Sequence, residues 1–404
     1  MMRRQKTDEL PMSHWRLSCQ HGRQGLIVAG AAPTCRRVAP DPILIGSEIY
    51  RHSSYGGRHP LAIPRVSAAL DLIRAMGWLD EQHYVDSPVA TAAELARFHD
   101  PGYIAALGDA ERTGRASEAV RDRYNIGRNG NPVFAEMFSR PATACGATLA
   151  AVALLRDGGT IFSPAGGTHH GRPDRASGFC YFNDPVLGIL ACLDAGIERV
   201  YYVDIDAHHG DGVQDALSGD GRVLILSIHE QGRWPHSGAA GDRGGGNARN
   251  LPVPPGFGDR ELDFLTDQVI LPLGRRFAPQ AVMLQAGADG LADDPMSNLA
   301  LGNRAIWRVA ERLRGLAPRL LVLGGGGYNP WSVARCWAGL WATLAGHDPL
   351  QPPTAAARAL LGGITWQHRL GRTPPARWLE TIADPPEPRP LRPEIAALAD
   401  AVLE

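Results

Sequence analysis

The chain reads as an α/β protein built on a central, mainly parallel sheet with helices on both faces, and three observations predict this. Short apolar runs rich in Val, Ile and Leu recur along the chain. They alternate with amphipathic or Ala-rich stretches of helical length, the pattern of repeated β-α units. Carboxylates and imidazoles gather just past the ends of those runs, at the edge where open parallel sheets bind ligands. With 404 residues, a formal net charge of -1 and 44% hydrophobic residues, the composition is that of one large globular domain with insertions.

Residues 1–40 mix charges with a short apolar piece, Gly25 to Ala32, too brief and too late for a convincing signal peptide. A leader of uncertain order is expected there. The organised part begins at Asp41, with a first strand at Pro42 to Ile45, a polar loop carrying His52 and His59, and a helix from Arg65 to Met76. A short strand at Val85 to Val89 precedes Ala92 to Leu95 and a helix opened by Pro101. His52, His59 and His99 sit beside turns and are read as packing or capping residues. Gly108 to Asn131, rich in Gly, Arg, Asp and Asn, reads as a long surface loop.

An Ala-rich helix from Thr143 to Leu155 leads to a strand at Gly158 to Phe162 and then to the loop Ser163 to Gly171. A helix from Pro185 to Ala195 precedes the strand Arg199 to Val203, and Val223 to Ile228 forms the next. Gln231 to Asn250 carries so many glycines that it reads as a loop, bringing Trp234 near the preceding motifs. An amphipathic helix from Leu262 to Phe277, a buried strand from Ala281 to Gln285, a helix from Asn303 to Leu313 and a strand from Leu320 to Leu323 complete the alternation. Beyond His347 the chain is rich in Pro, Arg and Ala, with helical pieces near 355–361 and 393–403. The expected division is a catalytic domain over 41–345 and a C-terminal extension over 346–404. That extension packs on the domain or mediates contacts in a homo-oligomer.

The near-zero net charge excludes the global basic field that recruits nucleic acid or an anionic membrane. No apolar run approaches the ~18 residues of a membrane span. The six cysteines form no CxxC pair, so reduced thiols and a cytoplasmic setting are expected.

The most loaded stretch is Asp204-Ile205-Asp206-Ala207-His208-His209-Gly210-Asp211-Gly212, directly after a buried strand. If the strand stays extended, Asp204, Asp206 and His208 alternate onto one face, which aims carboxylate and imidazole at one metal ion. The pair His169-His170 is, alone, as consistent with surface polarity as with chemistry. Beside an acidic metal motif it becomes a candidate acid/base pair, since histidine titrates where hydrolysis needs it. Asp289 also lies just past a strand end. Gly324-Gly325-Gly326-Gly327 lets backbone approach a ligand and presents Tyr328; the spacing and Lys of a phosphate-binding loop are absent.

Gly167-Thr168-His169-His170, Gly178-Phe179-Cys180-Tyr181, the Asp204 to Gly212 motif, Gly287-Ala288-Asp289 and Gly325-Gly326-Gly327-Tyr328 together resemble the zinc-dependent histone deacetylase family and its bacterial amidohydrolase relatives. The resemblance spans roughly Asp41 to Trp341 and implies the three-layer sandwich of the arginase/deacetylase superfamily, with active-site loops at the strand C-terminal ends. It implies Asp206, His208 and Asp289 as ligands of zinc, with iron(II) as the alternative metal. His170 becomes the base, oriented by Asp211, and His169 the acid or electrostatic partner, oriented by Asp204, with Tyr328 the hydroxyl that polarises the scissile carbonyl. Gly178, Phe179 and Trp234 would line a tube for the acyl-lysine chain. Asp204, Asp206 and His208, with Ser227 and Ile228, would hold a structural potassium ion.

Arginase-like relatives compete through Asp206-Ala207-His208, but they bind two metals. Gly210 and Gly287 stand where such a site places further carboxylates, which favours one metal. A catalytically silent binder of acylated ligands would have lost a ligand, a histidine or the tyrosine, and all are present. The substrate is less decided. Just before Pro132, where histone deacetylases carry an acidic residue that clamps the substrate backbone, this chain reads Gly127-Arg128-Asn129-Gly130-Asn131. An acylated polyamine is therefore the alternative to acyl-lysine, with Glu230, Asp109, Glu111 or Asp122 as candidate acidic gate residues.

Overall fold

In the computed structural model, residues 41–403 apart from Arg58 are described; the expected leader, with Cys19 and Cys35, lies outside them. Eight strands form one sheet: β1 (Ile43–Gly46), β2 (Tyr84–Asp86), β3 (Gly159–Ser163), β4 (Val200–Asp204), β5 (Val223–Glu230), β6 (Ala248–Val253), β7 (Ala281–Gln285) and β8 (Arg319–Leu323). Their order is β2-β1-β3-β8-β7-β4-β5-β6, and every neighbouring pair is parallel. The α/β architecture read from the strand-helix alternation is the one observed.

Side chains alternate along a strand, so the central strands feed two cores. Tyr201 and Val203, Val282 and Leu284, and Leu320 and Val322 pack on one face, with helices Val66–Ala75, Asn303–Leu313 and Pro330–Ala345. Val200 and Tyr202, Ala281 and Met283, and Leu321 and Leu323 pack on the other, against Ser139–Leu154 and Asp184–Asp194. Burial on both faces is why these strands read as unbroken apolar runs.

Packing between helices on the first face is tight. A Cβ on Gly339 would lie 2.0 Å from the Trp307 ring, whose Nε1 donates to the Cys336 carbonyl at 2.8 Å. Alanine gains about 1 kcal/mol of helix propensity over glycine, but overpacking costs about 1–3 kcal/mol. Gly339→Ala is therefore expected to lower the melting temperature, and a calorimetric scan at or above the wild-type value would contradict this reading of the interface.

Three stretches differ from expectation. Most of Gly108 to Asn131 is helical: Pro101–Thr113 runs into it and Glu118–Tyr124 follows, capped by Ser117. Charged outer faces hide the helical period there. Strand β6 begins at Ala248, inside the region read as loop; an edge strand carrying Arg249, Asn250 and Pro252 shows neither alternation nor an apolar run. Helix Leu262 to Phe277 is interrupted by a π turn at Thr266–Ile270 just before Pro272, which cannot donate to the helical ladder.

The C-terminal segment packs on the rest through Leu361, Trp378, Ile395, Ala399 and Val402, all in the first-face core. Four neighbouring strands, β3, β8, β7 and β4, deliver the loops that hold the His169-His170 pair, Tyr328, Asp289 and the Asp204 to Gly212 motif.

Candidate active site

Asp204 ends β4, and beyond it each carboxylate fixes the next amide: Asp206 N–H donates to Asp204 Oδ1 at 3.1 Å and His208 N–H to Asp206 Oδ1 at 3.0 Å. This staircase turns Asp206 and His208 toward Asp289, which leaves the end of β7. His208 Nδ1 lies 2.9 Å from Asp289 Oδ2 and 3.3 Å from Asp206 Oδ1. One donor atom from each residue lies within 4.8 Å of the others, and all three residues are buried. Burial alone lowers the His208 pKa, but the two carboxylates outweigh it and push it up to about 10. The triad thus collects a positive charge even from its own imidazole. Two carboxylates and one imidazole, with their other atoms held by protein amides, suit a divalent cation that keeps open coordination positions.

Gly326 N–H donates to Asp206 Oδ2 at 2.6 Å and Ala207 N–H to Asp289 Oδ1 at 2.9 Å. A Cβ on Gly326 would fall 2.1 Å from Asp289 Oδ2, so only glycine allows this approach. Gly210 and Gly287 are equally confined: a Cβ on each would meet Asp204 Oδ2 at 2.6 Å and Asp206 Oδ2 at 2.4 Å. The two positions that could carry ligands for a second metal have no room for any side chain.

His169 and His170 follow β3 on a loop stapled by buried Asp184. Its carboxylate accepts from Gly167 N–H at 3.0 Å, Thr168 N–H at 2.8 Å and the Thr168 and Thr148 hydroxyls. His169 Nδ1 pairs with Asp204 Oδ2 at 2.8 Å and His170 Nδ1 with Asp211 Oδ1 at 2.7 Å. Both histidines therefore turn Nε2 toward the triad; that of His169 lies 3.8 Å from Asp206 Oδ1. Their surroundings separate them. Burial opposes charge on His169, yet Asp204 and Asp206 push it up to about 9. Burial and the charge on His169 push His170 down to about 3, against the pull of Asp211. One ring is a cation and its neighbour, 3.9 Å away between centroids, a neutral base.

Tyr328, 8% exposed, faces the same space from the loop after β8. Burial, with Asp289 and Asp206 nearby, holds its phenol well above the usual range, so it stays a hydrogen-bond donor. Phe179 stands edge-on to Tyr328 at 6.1 Å, while Trp234 stands edge-on to His170 at 4.7 Å and to His208 at 6.4 Å. Phe179 has φ 67°, and its N–H donates to Asn131 Oδ1 at 3.0 Å. A Cβ on Gly178 would lie 2.5 Å from the Trp234 ring and 2.6 Å from His170, which explains that glycine. Asn125, Asn129, Ser177 and Met296 complete the mouth. Beneath it a cavity of about 70 Å³ extends past Arg65 and Arg140. Ser227 lies opposite Asp204 across β4 and β5, buried with Ile228.

Sequence reasoning missed several supports. Arg172 pairs with Asp211 and Asp215, the Tyr202 hydroxyl donates to Asp204 at 2.8 Å, and Asp184 and Asp294 hold loops. Only Asp184, three residues beyond the Gly178 to Tyr181 motif, carried any local signal. His99 is a core residue, as expected: Nδ1 meets the Arg172 carbonyl at 2.9 Å and Nε2 accepts from Asn183 N–H at 3.0 Å. The described cysteines, Cys145, Cys180, Cys192 and Cys336, are free and buried.

A parallel sheet whose C-terminal edge unites an Asp-His-Asp triad, two differently charged histidines and a neutral phenol defines a metal-centred α/β hydrolase. A family model described as the histone deacetylase domain matches residues 59–344, and the chain belongs to the histone deacetylase family. It is 37% identical to histone deacetylase 8 of Xenopus tropicalis over 291 residues, 70% of this chain and 78% of that one. It is 31% identical to the acetoin utilization protein AcuC of Bacillus subtilis (strain 168), over 88% of this chain and 94% of that protein. The crystal structure of a histone deacetylase homolog from Aquifex aeolicus superposes with a TM-score of 0.85 at 35% identity, covering 90% of this chain and all of the other. The metal-dependent deacetylase and the fold implied by the motifs both stand.

Proposed function

We propose that the chain hydrolyses the amide of an acyl-lysine side chain, with zinc held by Asp206, His208 and Asp289 and iron(II) as the alternative metal. The observation that carries this reading is geometric: His169 and His170, their Nδ1 atoms paired with Asp204 and Asp211, and the Tyr328 phenol gather on one space with the Asp206-His208-Asp289 triad. When bound, a divalent cation supplies a Lewis acid and acidifies water at the site. His170, its Nδ1–H committed to Asp211, presents the Nε2 lone pair that takes the proton from attacking water. Tyr328 donates a hydrogen bond to the acyl oxygen as charge develops there. As the C–N bond breaks, His170 hands the proton taken from water to the leaving amine nitrogen, while His169 keeps its own proton and steadies the charge. Arg65 and Arg140 set positive charge beside the place where the acyl group becomes a carboxylate.

The mouth favours acyl-lysine over polyamine. Among the described residues, its lining has no carboxylate. Glu230 is buried and bound to Arg233 and Asn298; Glu111 accepts from Phe138 and Ser139 amides. Asp109 pairs with Arg112, and Asp122 with Arg128. A polycation would find no charge partner there, whereas Phe179 and Trp234 suit an alkyl chain.

The test is a panel of acetyl-lysine peptides against acetylated spermidine and putrescine at equal concentration, with and without chelator. A preference for peptides of roughly a hundredfold is expected, abolished by chelation and restored by about one zinc per chain. A comparable preference for the polyamines would establish the alternative, and full activity in metal-free protein would overturn the mechanism.

Two further parts of the reading have weaker support. A potassium ion held by the carbonyls of Asp204, Asp206, His208 and Ile228 with Ser227 is favoured by the pairing of Asp204 with Ser227. Free, buried thiols favour a cytoplasmic setting.

A further inference from the structure

We propose that the C-terminal segment is part of the catalytic apparatus: Arg377 and Trp378 fix Asp293, and Asp293 and Asp294 fix the loop that carries Tyr328. Asp293, Asp294 and Arg377 are thereby positioning residues. The inference rests on Tyr328 being the carbonyl-polarising group.

The loop before Tyr328 is held through its backbone alone, Gly326 N–H donating to Asp206 Oδ2 at 2.6 Å and the Gly326 carbonyl accepting from Ala288 N–H at 2.8 Å. Four consecutive glycines, with φ 115° at Gly325 and 137° at Gly327, carry no side chains to pack. A hydroxyl that must meet an oxyanion needs its backbone held by other residues. Buried Asp294 supplies one anchor: its Oδ2 accepts from Tyr328 N–H at 2.6 Å and its Oδ1 from Met296 N–H at 2.9 Å. The carbonyl of Asp293 supplies another, accepting from Asn329 Nδ2 at 3.1 Å. Asn329 in turn caps helix Pro330–Ala345 through the Trp331 and Ser332 amides.

The Asp293 carboxylate faces the C-terminal segment. Arg377 Nη2 reaches both of its oxygens at 2.6 Å, and Trp378 Nε1 donates to Oδ2 at 2.7 Å. Trp378 is 2% exposed and stacks on Trp331 at 5.3 Å, in the first turn after Tyr328. The contacts close a ring from Tyr328 through Trp331, Trp378, Asp293 and Asp294 back to Tyr328. Nothing in that ring touches the substrate tube except Tyr328 itself.

The test is a set of variants of the full-length, metal-loaded enzyme. Asp294→Asn keeps the shape but puts an amide where a second acceptor was, and is expected to lower kcat roughly tenfold with KM within about twofold. Arg377→Met, at a partly exposed site that the fold tolerates, is expected to lower kcat about threefold. Arg392→Met, which breaks the segment's other carboxylate pair with Glu261, leaves kcat at the wild-type value.

The deciding measurement is a double-mutant cycle. In a Tyr328→Phe background, Asp294→Asn lowers kcat no further, with metal content unchanged. An equal loss in that background, or a parallel loss of metal, would overturn the inference and leave the role of Tyr328 intact. Wild-type kcat in Asp294→Asn and Arg377→Met would overturn it as well. Wild-type kcat in Tyr328→Phe alone would overturn the reading of the site itself.

Discussion

Tyr328→Phe lowers kcat by about two to three orders of magnitude, corresponding to roughly 2.7–4 kcal/mol of lost stabilisation of developing charge, while metal content and melting temperature stay near wild type. The substitution removes one oxygen and no packing: Tyr328 is buried beside Phe179, and among the described residues no group is hydrogen-bonded to its hydroxyl. The phenol has no partner in the resting protein to lose, so its contribution falls on the transition state. KM for an acetyl-lysine peptide should therefore move little while kcat falls. A loss confined to KM would place the hydroxyl in ground-state binding instead.

His170→Ala is expected to lose roughly a hundredfold or more in kcat, and His169 does not substitute for it. Both rings turn Nε2 toward the triad, but His169 is held as a cation by Asp204 and Asp206. Its basic lone pair is absent wherever the enzyme works. The same tuning sets the pH profile. His170, pushed down to about 3, remains an unprotonated base throughout the neutral range, so the acid side of the kcat profile is flat there. As pH rises through about 9, His169 loses its proton and activity falls with it. Steady-state kcat across pH on wild type and His170→Ala checks both points. A wild-type acid limb near neutrality, absent in His170→Ala, would mean His170 titrates there and that its burial matters less than the neighbouring Asp211.

The triad, both histidines and the tyrosine were legible because each occupies a short motif directly after a strand. A parallel sheet delivers all its strand ends to one edge, so residues placed there in sequence meet in space. The glycines among them were legible as loop formers and, at Gly210 and Gly287, as missing carboxylates. In the folded chain Gly210, Gly287 and Gly326 prove to be places where carboxylates crowd the backbone.

The acidic gate residues show the opposite case. Glu230, Asp109, Glu111 and Asp122 were equally good candidates in sequence. Arg233, Arg112, the Phe138 and Ser139 amides and Arg128 claim them in the fold. Arg233, Arg112 and Arg128 lie within six residues of their carboxylates, while Glu111 is met by amides 27 and 28 residues on, and only the fold shows which of these contacts form.

By itself, the sequence determined the fold class, the candidate metal triad and the kind of bond that is cleaved, because those depend on local periodicity and on residues at strand ends. Tertiary structure supplied the physical ground for taking His170 as the base, since unequal burial and unequal carboxylate neighbours separate the two rings. It also decided the uncharged mouth and the link from Arg377 to Tyr328. The link depends on residues far apart in the chain, whose meeting is set by how the layers pack, whereas the mouth depends mainly on local ion pairs.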